Sequence, residues 1–275
     1  MDHNEKCRKF YSDMMESFNF NFNPETFKRK SGFFFPEMQK NTALYIKPAS
    51  SELKSKLKEC RSKGIKVILI TASHIDFAEL LMTFSYGADW REYFDMVCCR
   101  ARKPGFFSMS AEERPFYCWD SVKHCNKQEP VQELNSRDVF MEGHWSVVDK
   151  WIRRKVDKAG RIAYVGDSFR SDIVPTKLSS TWDLFAVVLE GEEYRNSGEH
   201  VSSNTDHVDK KRHVSVEGWG SFFGTADQPT MFGGKLLEHA DLTISDVEEL
   251  ASLRLDQDFS SSKPGNFLDF NPYYK

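Results

Sequence analysis

Three short stretches carry residue types that could do chemistry together. "ILITAS" places Thr71 directly after an apolar run, and "CCRARKP" places Lys103 shortly after another. "YVGDSFRSDI" ends a third apolar run in Gly166 and Asp167, with Asp172 following in the same turn region. A hydroxyl just ahead of a helix can hold phosphate oxygens together with the helix's first N–H groups. An ammonium such as that of Lys103 neutralises phosphate charge and the charge of a neighbouring carboxylate. Asp167 is a candidate Mg²⁺ ligand, because that hard cation takes one or two carboxylates with substrate oxygens and water. Asp172 is a candidate supporting acid that keeps water or a neighbouring group in place. Each residue also has a plainer reading: Thr71 as a helix N-cap, Lys103 as a solvated lysine, Gly-Asp as a turn. The order of all four, at the ends of apolar runs, favours phosphoryl chemistry. His74 and Asp76 read as first-turn residues of the next helix, with His74 placed to line a pocket. Cys98 and Cys99 fall on opposite faces of a strand, and burial accounts for them better than reactivity.

The elements that must position these residues alternate. Apolar spacing predicts a helix over residues 5 to 18. "SSELKSKLKECRSKG" predicts a second helix, capped by Ser50 or Ser51 and ended at Gly64. "IKVILIT" reads as a buried strand, "IDFAELLMTF" as a helix and "YFDMVCCRA" as a second strand. Residues 104 to 142 look irregular. "HWSVVDKWIRRKVDKAG" predicts a helix, "RIAYVGD" a third strand and "DLFAVVLE" a fourth. Residues 190 to 217 are polar and aperiodic, which predicts a long mobile loop. "ADLTISDVEELASL" adds a strand-like piece and a capped helix, and the last residues read as a tail. Such alternation predicts an α/β protein with an open, mostly parallel sheet and helices on both faces. Ligands of such sheets sit at the carboxyl ends of strands. Thr71, Lys103 and Asp167 would converge there.

Composition sets outer bounds. The 275 residues include 38 Lys+Arg against 41 Asp+Glu, so charge makes no case for nucleic acid or a membrane surface as partner. The opening "MDHNEKCRKF" is polar, and no apolar run approaches the ~20 residues of a membrane span. The six cysteines include no C-x-x-C pair, so neither a zinc site nor a disulfide framework is expected. A reduced, soluble, cytoplasmic protein follows as the simplest expectation.

The stretches "ILITASHIDFAELLM", "YFDMVCCRARKPGFF" and "YVGDSFRSDIVP" resemble the second, third and fourth motifs of the haloacid-dehalogenase superfamily. More narrowly, "ARKPGFF", "RPF", "GWGSFF" and "HADLTISDVEELASL" are similar to the cytosolic 5'-nucleotidase branch. The resemblance runs from about residue 5 to 270. It implies a Rossmann-like core with a helical cap, Mg²⁺ as cofactor, and hydrolysis of phosphomonoesters such as nucleoside monophosphates. By motif it implies Thr71 as the phosphate-binding hydroxyl, Lys103 as the phosphate lysine, Asp167 as the metal-binding acid and Asp172 as the supporting acid. "GFFFPEM" resembles the end of the cap and the return to the core. The implied division is a cap remnant at 1–40, a core at 41–256 with an irregular insert at 104–142, and a tail at 257–275.

One departure from that pattern is large. The family's nucleophile lies in a D-x-D-x-T motif after the first core strand. Before Thr71 this chain has only Asp2 and Asp13, and neither follows an apolar strand. Without a carboxylate nucleophile there is no aspartyl-phosphate route. Two expectations stand side by side: a fragment or short form of a longer phosphohydrolase, lacking the first strand and inactive alone, or a non-catalytic binding or assembly protein, a pseudoenzyme of the same fold. Neither substrate identity nor oligomeric state is legible.

Overall fold

A computed structural model describes residues 3–121, 123, 125–136, 138–156, 160–188, 230–244 and 246–255. The chain forms two compact units, Met1–Arg102 with Pro115–Gly143, and Lys103–Arg114 with His144–Lys275.

The first unit begins with helix α1 (His3–Phe22), then two short helices, α2 (Pro24–Lys28) and α3 (Phe34–Lys40). Asn23 caps α2 by accepting the Glu25 N–H, and Pro24 occupies its first turn, where a missing N–H costs nothing. α4 (Ser51–Ser62) starts at Ser50, whose hydroxyl accepts the Leu53 N–H at 3.0 Å. It ends where Gly64 takes φ +81°, a left-handed conformation that glycine adopts without a Cβ clash. Then follow β1 (Ile68–Ile70), α5 (Ile75–Tyr86), β2 (Met96–Cys99), β3 (Phe116–Asp120), β4 (Cys125–Pro130) and β5 (Val139–Glu142). These strands form one sheet in the order β1-β2-β5-β3-β4, with β1-β2 and β2-β5 parallel and β3 antiparallel to both its neighbours. Trp90, Tyr93, Phe94, Val97 and Cys99 pack with Ile75 and Ala78 of α5 as this unit's core.

The second unit holds α6 (Gly105–Ser108), α7 (Trp145–Lys155), β6 (Ala163–Gly166), a single π turn over Phe169–Ile173, α8 (Val174–Ser179), β7 (Asp183–Val187), α9 (Met231–His239) and β8 (Leu242–Ile244). β6, β7 and β8 make a parallel sheet in that order. Phe185, Leu242, Ile244 and Leu253 pack together beside it. A second apolar group joins Phe107, Tyr164 and Trp182, whose indole N–H donates to Asp149 of α7.

The expected α/β class with mostly parallel strands is present. The described strands fall into two sheets, and residues 104–142, expected to be irregular, contain α6 and three strands. β3 carries the aromatic and β-branched-poor sequence "FYCWD", while β4 reads "CNKQEP". That polarity suits an edge strand but gives no alternating signal. The expected buried strand "IKVILIT" is only half-buried over β1. The last capped helix is a 3₁₀ turn over Val247–Ser252, held by a capping box between Asp246 and Glu249. The expected loop at 190–217 and the tail at 257–275 lie outside the described residues.

Candidate functional site

Lys103 and Asp172 meet. The Lys103 ammonium lies 2.5 Å from Asp172 Oδ1 and 3.2 Å from the Tyr164 hydroxyl, which itself donates to the same carboxylate oxygen at 2.5 Å. Asp172 Oδ2 accepts the Ser168 N–H at 3.2 Å. Both carboxylate oxygens are therefore engaged, and the Asp172 side chain is almost fully buried. A buried carboxylate is tolerated only with such partners. Gly166 explains how the acid reaches this place. A Cβ there would stand 2.6 Å from Asp172 Cβ and 3.1 Å from the Tyr164 ring. The strand's period of two puts Tyr164 and Gly166 on one face: the tyrosine supplies the hydroxyl and the glycine supplies the room. The π turn that follows swings Asp172 back toward β6, with Asp172 and Ile173 N–H groups both bonded to the Ser168 carbonyl. Asp167, at the same strand end, is exposed.

Thr71 sits in the first unit, just past β1. Its Oγ1 accepts the Ser73 N–H at 3.1 Å, which leaves its own O–H proton to give to a ligand. It is not the helix N-cap of the plainer reading. His74 holds that position for α5, without a side-chain cap bond. The loop is clipped to the segment after β2: Thr71 N–H bonds to the Cys98 carbonyl, Ala101 N–H to the Thr71 carbonyl and Arg100 N–H to the Ser73 carbonyl. That segment runs through two left-handed residues, Arg100 at φ +50° and Arg102 at φ +49°. Each costs about 1–2 kcal/mol without glycine. The Arg102 guanidinium, 3.4 Å from Glu142, helps hold the turn.

Of the four residues singled out by sequence, the structure thus brings Lys103 and Asp172 into contact, leaves Asp167 exposed and places Thr71 in a fixed turn. Tyr164 was missed, although its position two residues before Gly166 was a readable signal. For the implied Mg²⁺, Asp167 fits as one ligand. Asp172 does not, since lysine, tyrosine and a backbone N–H already hold it. Among the described residues no three His, Cys, Asp or Glu side chains gather in a way that could hold a metal ion.

The fold is α/β, with Thr71 in a turn after β1 of the first unit and the Lys103–Asp172 pair at the end of β6 in the second. The family model for the 5' nucleotidase family matches residues 28–194, and the chain belongs to that family. Human 5'-nucleotidase domain-containing protein 1 is 26% identical over 289 residues, covering 97% of this chain and 62% of the relative. Its Bos taurus counterpart is 25% identical over 95% of this chain and 61% of its own length. Human 5'-nucleotidase domain-containing protein 2 is 24% identical over 71% of this chain and 43% of its own. The chain spans about three fifths of the first two relatives.

Proposed function

We propose that this chain carries the fold and phosphate-handling residues of a Mg²⁺-dependent, 5'-nucleotidase-like phosphohydrolase of the haloacid-dehalogenase type, acting on phosphomonoesters such as nucleoside monophosphates. The observation that carries the reading is the Lys103–Asp172 pair at 2.5 Å beside the exposed Asp167. In this role the Thr71 hydroxyl donates to a phosphate oxygen. Lys103, aimed by Asp172 and Tyr164, places positive charge where phosphate charge must be balanced. Mg²⁺ would be held by Asp167 with phosphate oxygens and water, and when bound it would neutralise phosphate charge. One carboxylate makes that hold weak. No disulfide joins the described cysteines, and no described helix is long and apolar enough to cross a membrane. A cytoplasmic setting is part of the same proposal.

These 275 residues hold no D-x-D-x-T aspartate ahead of Thr71, so the chain by itself is expected to bind phosphate without turning over esters. A second reading, a binding or assembly protein of the same fold that never hydrolyses, draws on a feature other than the Lys103–Asp172 pair: these residues hold no D-x-D-x-T aspartate. The test is a phosphatase assay of purified 1–275 with Mg²⁺, on nucleoside monophosphates and an aryl phosphate. No turnover is expected. Turnover that survives purification and vanishes in Asp167→Asn would overturn the proposed lack of a nucleophile. A longer form bearing the motif should lose activity by roughly 10² in Lys103→Ala; an unchanged rate would show that Lys103 is not the phosphate lysine, and a longer form without any turnover would favour the second reading.

A further inference from the structure

Helix α1 is tied to the rest of the first unit near its carboxyl end. The Asn21 side-chain oxygen accepts the Phe33 and Phe34 N–H groups at 3.2 and 3.3 Å, and the Phe22 ring meets Phe35 edge-to-face at 5.2 Å. From residue 4 to residue 20 every position of the helix is exposed. A helix draws most of its stability from the packing of an apolar face, and the phenylalanines, asparagines and serines of α1 are weak helix formers. An apolar face is present. Cys7, Tyr11, Met14 and Phe18 follow one another at intervals of four, three and four, the repeat of a helix–helix seam. Phe10 and Met15 flank it, and all six side chains are exposed.

We propose that α1 is a dimerisation helix: a second copy of this chain lays its own α1 antiparallel along the seam, about a two-fold axis. Bulk sets the direction. In the antiparallel register Phe18 meets Cys7 of the second copy and Tyr11 meets its Met14, and symmetry makes each contact twice. Large residues facing smaller ones interdigitate. A parallel pair would set Phe18 on Phe18 and Cys7 on Cys7, crowded at one level and open at another. Charge agrees with bulk. Residues 3–12 carry Lys6, Arg8 and Lys9 against Glu5, a net +2, and residues 13–22 carry Asp13 and Glu16, a net −2. Antiparallel helices bring opposite halves together, whereas parallel ones bring like to like. These charges lie on the flanks and back of the helix, and Lys9 already bridges Asp13 at 3.0 Å, so they choose the orientation and add little strength. Area sets the affinity. Two helices of this length are about 30 Å long and cover on the order of 1,000 Å² between them, the low end of specific interfaces. A reversible dimer in the micromolar range follows. It forms whether or not the chain hydrolyses phosphate esters.

The test is sedimentation equilibrium of the full 275-residue chain over a micromolar concentration range. A monomer–dimer equilibrium is expected. Tyr11→Lys and Met14→Glu should each weaken it by about tenfold, because each sets a charge against an apolar side chain in both central layers. Mixed together, the two variants should pair about tenfold more tightly than either does alone. Only the antiparallel register sets position 11 of one copy against position 14 of the other. Both positions are exposed, and melting curves check that the fold is kept. As a second measurement, mild oxidation of Phe18→Cys should link Cys7 of one copy to the new thiol at position 18 of the other. A wild-type monomer over the whole range overturns the proposal and leaves the seam to a different partner. A dimer that neither single substitution weakens also overturns it, since the contact then lies elsewhere, on a sheet edge for instance. A mixture no tighter than its components, or bridges that join Cys7 to Cys7, overturns the antiparallel pairing.

Discussion

Gly166 shows how much of a site can hang on a missing atom. The residue is readable in the sequence as the glycine before Asp167, and a turn accounts for it there. Its physical reason needs the third dimension: Asp172, six residues on, packs against the bare Cα, with its Cβ 2.6 Å from where a Gly166 Cβ would stand. The contact is with the root of the side chain, not with a flexible tip. Gly166→Ala must therefore push back the π turn or tilt β6, and in either case the Lys103–Asp172–Tyr164 bonds lengthen. Overpacking of this kind costs roughly 1–3 kcal/mol. Gly234→Ala is the control, because nothing lies within 4 Å of a Cβ there, and alanine is favoured in a helix by about 0.5–1 kcal/mol. Urea unfolding should show a lowered midpoint for the first variant and an unchanged or raised one for the second. Equal midpoints would mean that Asp172 is not held against Gly166.

At the scale of elements, the sequence was most legible where a periodic run is bounded by a cap. α4, α5 and α7 fall where apolar spacing placed them, and β6 and β7 where β-branched runs did. α9, "MFGGKLLEH", was missed because two glycines interrupt the pattern that packing completes. β4 was missed because an edge strand has no buried face to leave a period-two trace. α7 also carries a pH signature that its sequence barely hints at. Its N-cap is His144, whose Nδ1 accepts the Ser146 N–H at 3.3 Å and lies 2.8 Å from the Ser146 hydroxyl. Only the neutral ring can accept there, and burial lowers the His144 pKa. His74 at the start of α5 is lowered too, again by burial first. With folded-state values below the ordinary 6.5, the unfolded chain binds more protons as pH falls through and below that value. Stability is then complete above about pH 6.5 and lost on acidification, the sign required when the unfolded state takes up protons. Melting temperature should hold between pH 7.5 and about 6.5 and fall from there to pH 5. His144→Asn keeps a good cap without a group that titrates in this range, so it should flatten the slope. A slope equal to wild type would show that His144 does not carry the effect.

At the scale of the whole molecule, the family and the α/β class were legible, while the assembly of the strands was not. Local pattern cannot say which strands share a sheet, and the described strands form a five-stranded sheet ending in β1 and a three-stranded sheet ending in β6. Among the described residues β1 pairs only with β2, and β6 only with β7. Among the described residues each thus has one backbone edge with no strand paired to it, and edges of that kind template pairing between chains. α1 adds to this. Phe10 and Tyr11 are 72% and 61% exposed, and Phe33, just before α3, is 91% exposed. Phe18 and Phe22 are also largely open, so the rings fall on one run of chain and not singly over the surface. Contiguous apolar surface beyond a few hundred Å² marks an interaction site or an aggregation liability. We expect purified 1–275 to self-associate, with an average mass by light scattering that rises with concentration. Replacing Phe10, Phe18 and Phe33 together by serine removes exposed rings with little loss of packing, so the folded state should survive while the mass rises less. If the triple variant associates as strongly as wild type, the sheet edges are the cause, and added salt should change little because backbone pairing is not a charge effect. A monodisperse wild-type monomer at high concentration, melting in one sharp transition, would show that neither the α1 rings nor the free edges of β1 and β6 are sticky.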